Sequence, residues 1–161
     1  MSVNNEGLAY VFSNSGGTWS QTAILSSNSS LGSGSYGYSI SADSSTLVIG
    51  AKDDGPNDCG QAYVYSVSSS PQLVTIVTPS GTPSNGEFGV DVALEGSNLF
   101  VGASSSGYAY LFEYVSAGGV GWSQTAILQP SVSSIASDFG QSVALDDVDG
   151  YLVVGAPGGE H

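Results

Sequence analysis

The sequence contains almost no basic side chains. Of its 161 residues, 14 are acidic and one, Lys52, is basic, which gives a formal net charge of −13 at pH 7. Phosphate binding depends on Lys and Arg that displace counterions, so this composition argues against nucleic acid, and anionic membrane surfaces are disfavoured for the same reason. A cation, a neutral polymer such as a glycan, or a basic protein remains compatible with the charge. Excess carboxylate that keeps a β-rich surface soluble is the simpler interpretation, and we favour it.

Cysteine, histidine, long apolar runs and catalytic motifs are also scarce or missing. Cys59 is the only cysteine and His161 the only histidine, so the sequence offers neither an internal disulfide nor a Cys/His zinc site. No stretch approaches the roughly 18 consecutive apolar residues of a membrane span, and no signal peptide is visible. No Gly-x-Ser-x-Gly nucleophile motif occurs. We therefore expect no membrane insertion and no enzymatic activity.

What the sequence does contain is glycine and short apolar runs. It has 23 glycines, and Leu, Ile and Val alternate with polar residues between Ser- and Gly-rich stretches, which is typical of short strands joined by tight turns. An aromatic-glycine pair that opens a strand occurs three times, with steps of 88 − 36 = 52 and 139 − 88 = 51 residues. A constant step of this size indicates a repeat architecture. The pairs are Tyr36-Gly37, Phe88-Gly89 and Phe139-Gly140.

Each aromatic-glycine strand is followed by an apolar strand that has a glycine in its interior. Such a glycine usually marks the close approach of another backbone, which the crowded inner strands of a propeller would provide. The three glycines are Gly50, Gly102 and Gly155. The heptapeptide Trp-Ser-Gln-Thr-Ala-Ile-Leu also repeats, at 19–25 and 122–128, and its offset of 122 − 19 = 103 residues equals two repeat lengths.

The strand pattern divides the chain into four-stranded units. We predict a half blade with strands three and four at 1–27, complete blades at 36–79 and 88–130, and a half blade with strands one and two at 139–157. Four antiparallel strands in each repeat predict an all-β fold, a β-propeller built of four-stranded antiparallel blades, with essentially no α-helix. The chain then holds three blade equivalents, with half blades at its ends.

These motifs carry a resemblance to a known family. Phe139-Gly140 followed by Gly155-Ala156-Pro157 resembles the FG-GAP repeat, the blade motif of integrin α-subunit propellers and of many bacterial and algal surface proteins. The units at Tyr36 and Phe88 depart from the motif because they end in Gly-Ala-Lys and Gly-Ala-Ser, and the third and fourth strands look like the non-integrin branch. The resemblance implies an extracellular or cell-surface location and adhesion through binding of protein or glycan.

Two acidic clusters are candidate metal sites. Integrin-type blades often carry a calcium loop, Asp-x-Asp/Asn-x-Asp-Gly, between the first two strands, and 146–150 is a partial match. Carboxylates without Cys or His select a hard cation, so if a metal binds we expect calcium. The alternative for both clusters, which we prefer, is a hairpin turn or side chains that cap their own backbone. The candidate ligands are Asp146, Asp147 and Asp149 in one cluster and Asp53, Asp54 and Asp58 in the other.

Three classes of function fit these observations. A non-enzymatic extracellular adhesion or recognition module comes first, and Tyr38 or Tyr108 could stack on a sugar, although aromatic residues at strand spacing are more often core. A structural subunit of a ring, fibre or sheath is the second class, and a polysaccharide-active propeller enzyme is the third. Half blades expose unpaired strand edges, so we also expect a homo-oligomer, either a dimer that closes a six-bladed ring or a filament. The alternative is that the sequence is an excerpt from a longer propeller, which would show the same ends.

Overall fold

The fold is made of β-strands. A computed structural model describes residues 7–27, 34–67, 70–81, 84–116, 121–131, 136–146 and 148–159. Across these ranges the only helical elements are two short 3-10 turns, Pro56–Asp58 and Ser104–Ser106. In this part of the chain no helix has the length and apolar character needed to cross a membrane. The predicted all-β class is confirmed.

Two four-stranded antiparallel sheets have the form of propeller blades, and their strands neighbour one another in chain order. Hairpin-length connections favour this meander because each strand ends at a turn that returns the chain beside it. The first blade comprises β3 (Tyr36–Ala42), β4 (Thr46–Ala51), β5 (Gln61–Ser66) and β6 (Gln72–Val77). The second blade comprises β7 (Phe88–Glu95), β8 (Asn98–Ala103), β9 (Tyr108–Val115) and β10 (Gly121–Leu128).

Two antiparallel strand pairs precede and follow these sheets in sequence. The N-terminal pair is β1 (Ala9–Ser15) with β2 (Thr18–Leu25), and the C-terminal pair is β12 (Ser142–Asp146) with β13 (Tyr151–Gly155). A further short pair, which the sequence analysis did not predict, joins β11 (Ala136–Ser137) to β14 (Gly158–Gly159).

One strand begins later than its repeat motif predicts. In the two blades the first strand starts at the aromatic residue, Tyr36 or Phe88, whereas β12 starts at Ser142 rather than at Phe139. The N–H of Gln141 donates to the carbonyl of Asp138 at 3.0 Å, but the same turn precedes the other two strands, where Tyr38 and Val90 donate to Ser35 and Glu87 at 3.1 and 3.0 Å. What differs is the opening pair: β3 and β7 begin with Tyr36 opposite Ala51 and Phe88 opposite Ala103, whereas the pairing of β12 begins with Ser142 opposite Gly155.

Apolar side chains fill the space between successive sheets. Neighbouring residues of a strand point to opposite faces, so Ile49 packs toward the N-terminal pair while Val48 packs toward the second blade. Between the two blades, the ring of Phe88 meets Tyr110 and Phe112 edge to face, with centroid distances of 5.4 and 5.9 Å. Burial between sheets, rather than within one sheet, therefore supplies the core.

Two of the mid-strand glycines, Gly50 and Gly102, lie where neighbouring sheets approach each other closely. A Cβ atom on Gly50 would lie 2.1 Å from the carbonyl oxygen of Gly89, and one on Gly102 would lie 2.0 Å from that of Gly140. Both contacts join the second strand of one sheet to the aromatic-glycine segment of the next. Polar side chains of the first strands add links between sheets: Ser39 Oγ donates to the Gly89 carbonyl at 2.8 Å, and Asp91 Oδ2 accepts from the Val143 N–H at 2.8 Å.

Candidate functional site

The loop between β4 and β5 carries the single lysine into a cluster of carboxylates. Lys52 Nζ lies 3.0 Å from Asp53 Oδ1 and 3.0 Å from Glu87 Oε1, and it sits 5.2 Å from the centroid of the Tyr38 ring. Burial lowers the pKa of Lys52, but the hydrogen bonds that its ammonium donates to Asp53 and Glu87 outweigh this effect and raise the pKa above its ordinary value. The lysine thus stays charged and engaged within the protein.

Glu87 connects this loop to the second blade. Its Oε2 accepts a hydrogen bond from Ser104 Oγ at 2.6 Å, while its Oε1 binds Lys52. The hydrogen bond from the Ser104 hydroxyl lowers the pKa of Glu87 to about 2. Burial acts in the opposite direction but has a smaller effect, and Lys52 adds to the lowering. The cluster is an electrostatic link between the two blades.

The three carboxylates of this loop do not converge on one point. Asp54 is buried and accepts from the Gly55 N–H at 2.7 Å and from the Tyr63 hydroxyl, whose pKa is raised by burial and by this carboxylate. Asp53 accepts from Ser35 Oγ at 2.5 Å as well as from Lys52, and Asp58 is exposed. Within the described residues no three His, Cys, Asp or Glu side chains are grouped to hold a metal.

The second acidic cluster, at the hairpin between β12 and β13, is organised as a turn. Asp146 Oδ1 accepts from the N–H groups of Val148 and Asp149, each at 3.1 Å. The equivalent hairpin of the first blade has the same arrangement, with Asp43 Oδ1 accepting from Ser45 and Thr46 at 2.7 Å. Burial raises the pKa of Asp43, but these backbone hydrogen bonds lower it below its ordinary value overall. Asp147 lies outside the described residues.

A groove of about 350 Å³ between the two blades is the feature best suited to a ligand. One wall comes from the second blade, where the rings of Tyr114 and Trp122 lie 5.6 Å apart at a tilt of 57°. The other wall comes from the first blade and presents Val74 and Ser66, while Ser97 stands at the hairpin of the second blade. An apolar groove of this size with a few polar groups is the usual form of a small-molecule site.

Sequence analysis missed this groove, although the sequence holds a signal for it. The tryptophan of the repeated heptapeptide lies opposite Tyr114 in the second blade, but opposite Asn14 in the N-terminal pair. The two aromatic residues proposed from sequence lie elsewhere: Tyr38 lies beneath Lys52, and the ring of Tyr108 packs edge to face on Tyr110 at 6.2 Å.

Comparison with protein-family models identifies a repeat within the chain. Residues 19–65 match the model of a family described as the FG-GAP repeat. The matched span begins in β2 and ends in β5, so one sequence repeat runs from the outer strand of one sheet into the first three strands of the next. No curated protein matches the sequence.

Proposed function

Since the chain contains an FG-GAP repeat, we propose that it is a propeller-type recognition module that works outside the cell or on its surface and binds a neutral glycan without chemical turnover. The observation that carries this proposal is the groove between the blades, which pairs Trp122 with Tyr114 beside serine hydroxyls. A protein ligand is the alternative that the family resemblance also implies.

The chemistry of the groove favours a sugar. Sugar rings present C–H faces that pack on aromatic rings and hydroxyl groups that hydrogen-bond to side chains at the rim, and the groove offers both kinds of contact. Its volume of about 350 Å³ suits a short oligosaccharide better than the flat surface of a folded protein. A net charge of −13 makes an uncharged ligand easier to accommodate than an anionic one.

The lining of the groove also supports recognition rather than catalysis. Glycoside hydrolysis generally requires a pair of carboxyl groups on either side of the scissile bond. Among the described residues that line the groove there is no Asp or Glu. The polysaccharide-active alternative therefore finds less support at this site than the binding module.

The repeated heptapeptide supplies a matched control for a binding experiment. We expect neutral oligosaccharides on a glycan array to bind the native chain, and Trp122→Ala to weaken binding of the best ligand at least about tenfold in calorimetry because a stacking face is lost. Trp19→Ala removes the same residue from the same local sequence and should leave affinity unchanged. Circular dichroism checks that both variants fold. Failure of every neutral glycan to bind, or equal losses from both variants, would refute the proposal.

A further inference from the structure

Each outer strand carries one residue that a β-bulge displaces from the regular pairing. In the N-terminal pair and in both blades, the register between the last two strands shifts once, opposite equivalent positions of the inner of the two strands. A bulge of this kind bends the strand and redirects the side chain of the extra residue. The residues that the pairing skips are Thr22 in β2, Val74 in β6 and Thr125 in β10.

Two of these bulges have a threonine that bonds back to its own sheet. Thr22 Oγ1 donates to the carbonyl of Val11 at 3.3 Å, and Thr125 Oγ1 donates to the carbonyl of Leu111 at 3.5 Å. At the bulge of the first blade the residue is Val74. Valine has the branched shape of threonine but carries a methyl group in place of the hydroxyl, so it cannot make this hydrogen bond. The first blade therefore departs from the repeat at this position.

The departure falls at a residue that lines the groove between the two blades. Val74 belongs to the wall of the first blade, and its side chain is 55% exposed although it is apolar. Tyr114 and Trp122 form the wall of the second blade. Thr125, at the equivalent bulge of the second blade, does not line this groove. The bulge that has lost its hydroxyl is thus the one that presents its side chain to the proposed ligand site.

The groove consequently has apolar surface on both walls. Aromatic rings form one wall, and Val74 together with the buried Val64 contributes an aliphatic surface to the other. A plain hexose can stack its C–H face on Trp122, but it would place a hydroxyl group against the aliphatic wall, where that hydroxyl loses its hydrogen bonds to water. A methyl group in the same place would bury apolar surface instead. The aliphatic wall therefore favours a sugar with an apolar substituent.

The polar groups of the groove orient a ligand but do not select this substituent. Ser66 and Ser97 are lining residues, and a serine hydroxyl both donates and accepts hydrogen bonds. It can therefore bind a sugar hydroxyl or an amide equally well. None of the described residues that line the groove is charged, which suits an uncharged ligand. Discrimination between a plain sugar and a substituted one is left to the aliphatic wall.

From the substituted bulge and its place in the groove we infer that the site selects a sugar that carries a methyl group, and that Val74 is the residue that contacts this group. The inference rests on the glycan binding proposed above and names the class of sugar. Two kinds of sugar have such a methyl group: those with an acetamido substituent, and 6-deoxy sugars, in which a methyl replaces the hydroxymethyl group. In either kind the ring stacks on Trp122 and the methyl group packs on Val74.

Calorimetry with matched pairs of sugars tests the selectivity. An oligomer of N-acetylglucosamine is compared with the glucose oligomer of the same linkage and length. L-Fucose is compared with L-galactose, which differs from it only by a hydroxyl group on the terminal carbon. We expect the methyl-bearing member of at least one pair to bind about tenfold more tightly, the usual scale for one small apolar group in an apolar pocket. The pair that shows the difference identifies which kind of sugar the groove takes.

The outcomes for the native chain separate this inference from the proposed function. Equal affinities within both pairs, or a best ligand on the glycan array that has no methyl group, would overturn the inference and leave glycan binding in place. Failure of every neutral glycan to bind would refute the proposed function and the inference together.

The variant Val74→Thr assigns the selectivity to one residue, because it installs the amino acid that the repeat has at the other two bulges. The variant should fold normally, since threonine at this bulge can donate to the Val64 carbonyl as Thr22 does to Val11. We expect its affinity for the methyl-bearing sugar to fall about tenfold, toward that of the matched plain sugar. Its affinity for the plain sugar should be nearly unchanged, whereas Trp122→Ala should weaken both.

The reverse exchange at the equivalent bulge is the control. Thr125→Val lies in the same strand as Trp122 but outside the groove, so it should leave the affinities for both sugars unchanged. Circular dichroism and thermal unfolding check that both variants retain the fold. A Val74→Thr variant that keeps the native preference, or that loses both sugars equally, would overturn the assignment of Val74 as the residue that contacts the methyl group.

Discussion

Two stretches of this chain share one heptapeptide and differ in their surroundings. Residues 19–25 and 122–128 are identical and both lie in the outer strand of an antiparallel pairing, β2 or β10. Trp19 is 68% exposed, whereas Trp122 is partly buried against the core between the blades. Gln124 also exchanges two hydrogen bonds of 2.9 Å with Ser80, which follows the first blade. The same heptapeptide therefore forms an outer strand in both places, but its tryptophan is buried to different extents.

The difference shows that a sheet of this protein is defined locally and stabilised by its neighbour. In repeat proteins each unit buries its faces against the adjacent units, so the energetic contribution of a residue depends on whether the adjacent unit is present. Equivalent positions in different repeats should then respond differently to the same substitution. The predictions below use such pairs.

The largest contrast should come from the aromatic residue of the third strand. Tyr110→Ala removes a ring that is 1% exposed and in edge-to-face contact with Phe88, so we expect a loss of about 3–5 kcal/mol in the free energy of unfolding. Tyr10→Ala removes the equivalent, half-exposed ring and should cost less than ~1 kcal/mol. Urea unfolding followed by tryptophan fluorescence measures both. Similar losses at the two positions would mean that the N-terminal pair is buried in the single chain.

The mid-strand glycine should give the next contrast. Gly102→Ala would place a Cβ atom 2.0 Å from the backbone oxygen of Gly140. We expect the free energy of unfolding to fall by about 3 kcal/mol, because the two backbones must separate. Gly155→Ala has the equivalent place in β13, but its Cβ would meet only the flexible Ser142 side chain, at 2.2 Å to Oγ. Gly155→Ala should lower the free energy of unfolding by roughly 1 kcal/mol or less. Thermal unfolding of the two variants makes the comparison, and equal shifts would contradict it.

The sequence predicts the local parts of this structure well. The alternating strands and the glycines that precede Ala51 and Ala103 follow from patterns within one repeat, and these are sufficient for the all-β class and the four-stranded sheets. The start of β12 differed although the same turn precedes all three aromatic-glycine strands, at Ser35, Glu87 and Asp138. No pattern within one repeat distinguishes that copy from the other two.

The candidate site was harder to predict because it lies between repeats. The acidic loop offered carboxylates as candidate metal ligands, but Asp54 accepts hydrogen bonds from Tyr63 and Gly55. Lys52 donates to Glu87, which is 35 residues away in the chain. The groove needs Trp122 and Tyr114 to face Ser66 and Val74 of the other blade. Sequence spacing within a strand gives the face on which a residue lies, but not the distance to a residue of another sheet.

The cluster of Lys52, Glu87 and Ser104 that links the two blades should make the free energy of unfolding depend on pH, with an effect of intermediate size. The pKa of Glu87 is lowered to about 2 from an ordinary 4.5. The ionised side chain therefore makes its full contribution to the free energy of unfolding above pH 4.5, and this contribution is lost as pH falls toward 2. The side chain is partly exposed, and with solvent screening we expect roughly 1–2 kcal/mol. Glu87→Gln should remove this share of the acid sensitivity in urea unfolding between these pH values. Glu113→Gln, at an exposed strand position, should leave the acid sensitivity of the free energy of unfolding unchanged. A Glu87→Gln variant that retains the native pH profile would contradict the assignment.

The smallest effects should come from the aspartates of the two equivalent hairpins. Asp43→Ala and Asp146→Ala each remove an acceptor of two backbone hydrogen bonds, and we expect losses of about 0.5–1 kcal/mol, larger for Asp43 because its contacts are 2.7 Å rather than 3.1 Å. Since Asp146 is engaged with Val148 and Asp149, the melting temperature of the native chain should be equal in calcium and in chelator. Calcium bound at this hairpin would raise the melting temperature and Asp146→Ala would abolish the rise, because a ligand that binds only the folded state must stabilise it. The comparison therefore separates a turn that uses aspartate for its own backbone from one that uses it for a metal.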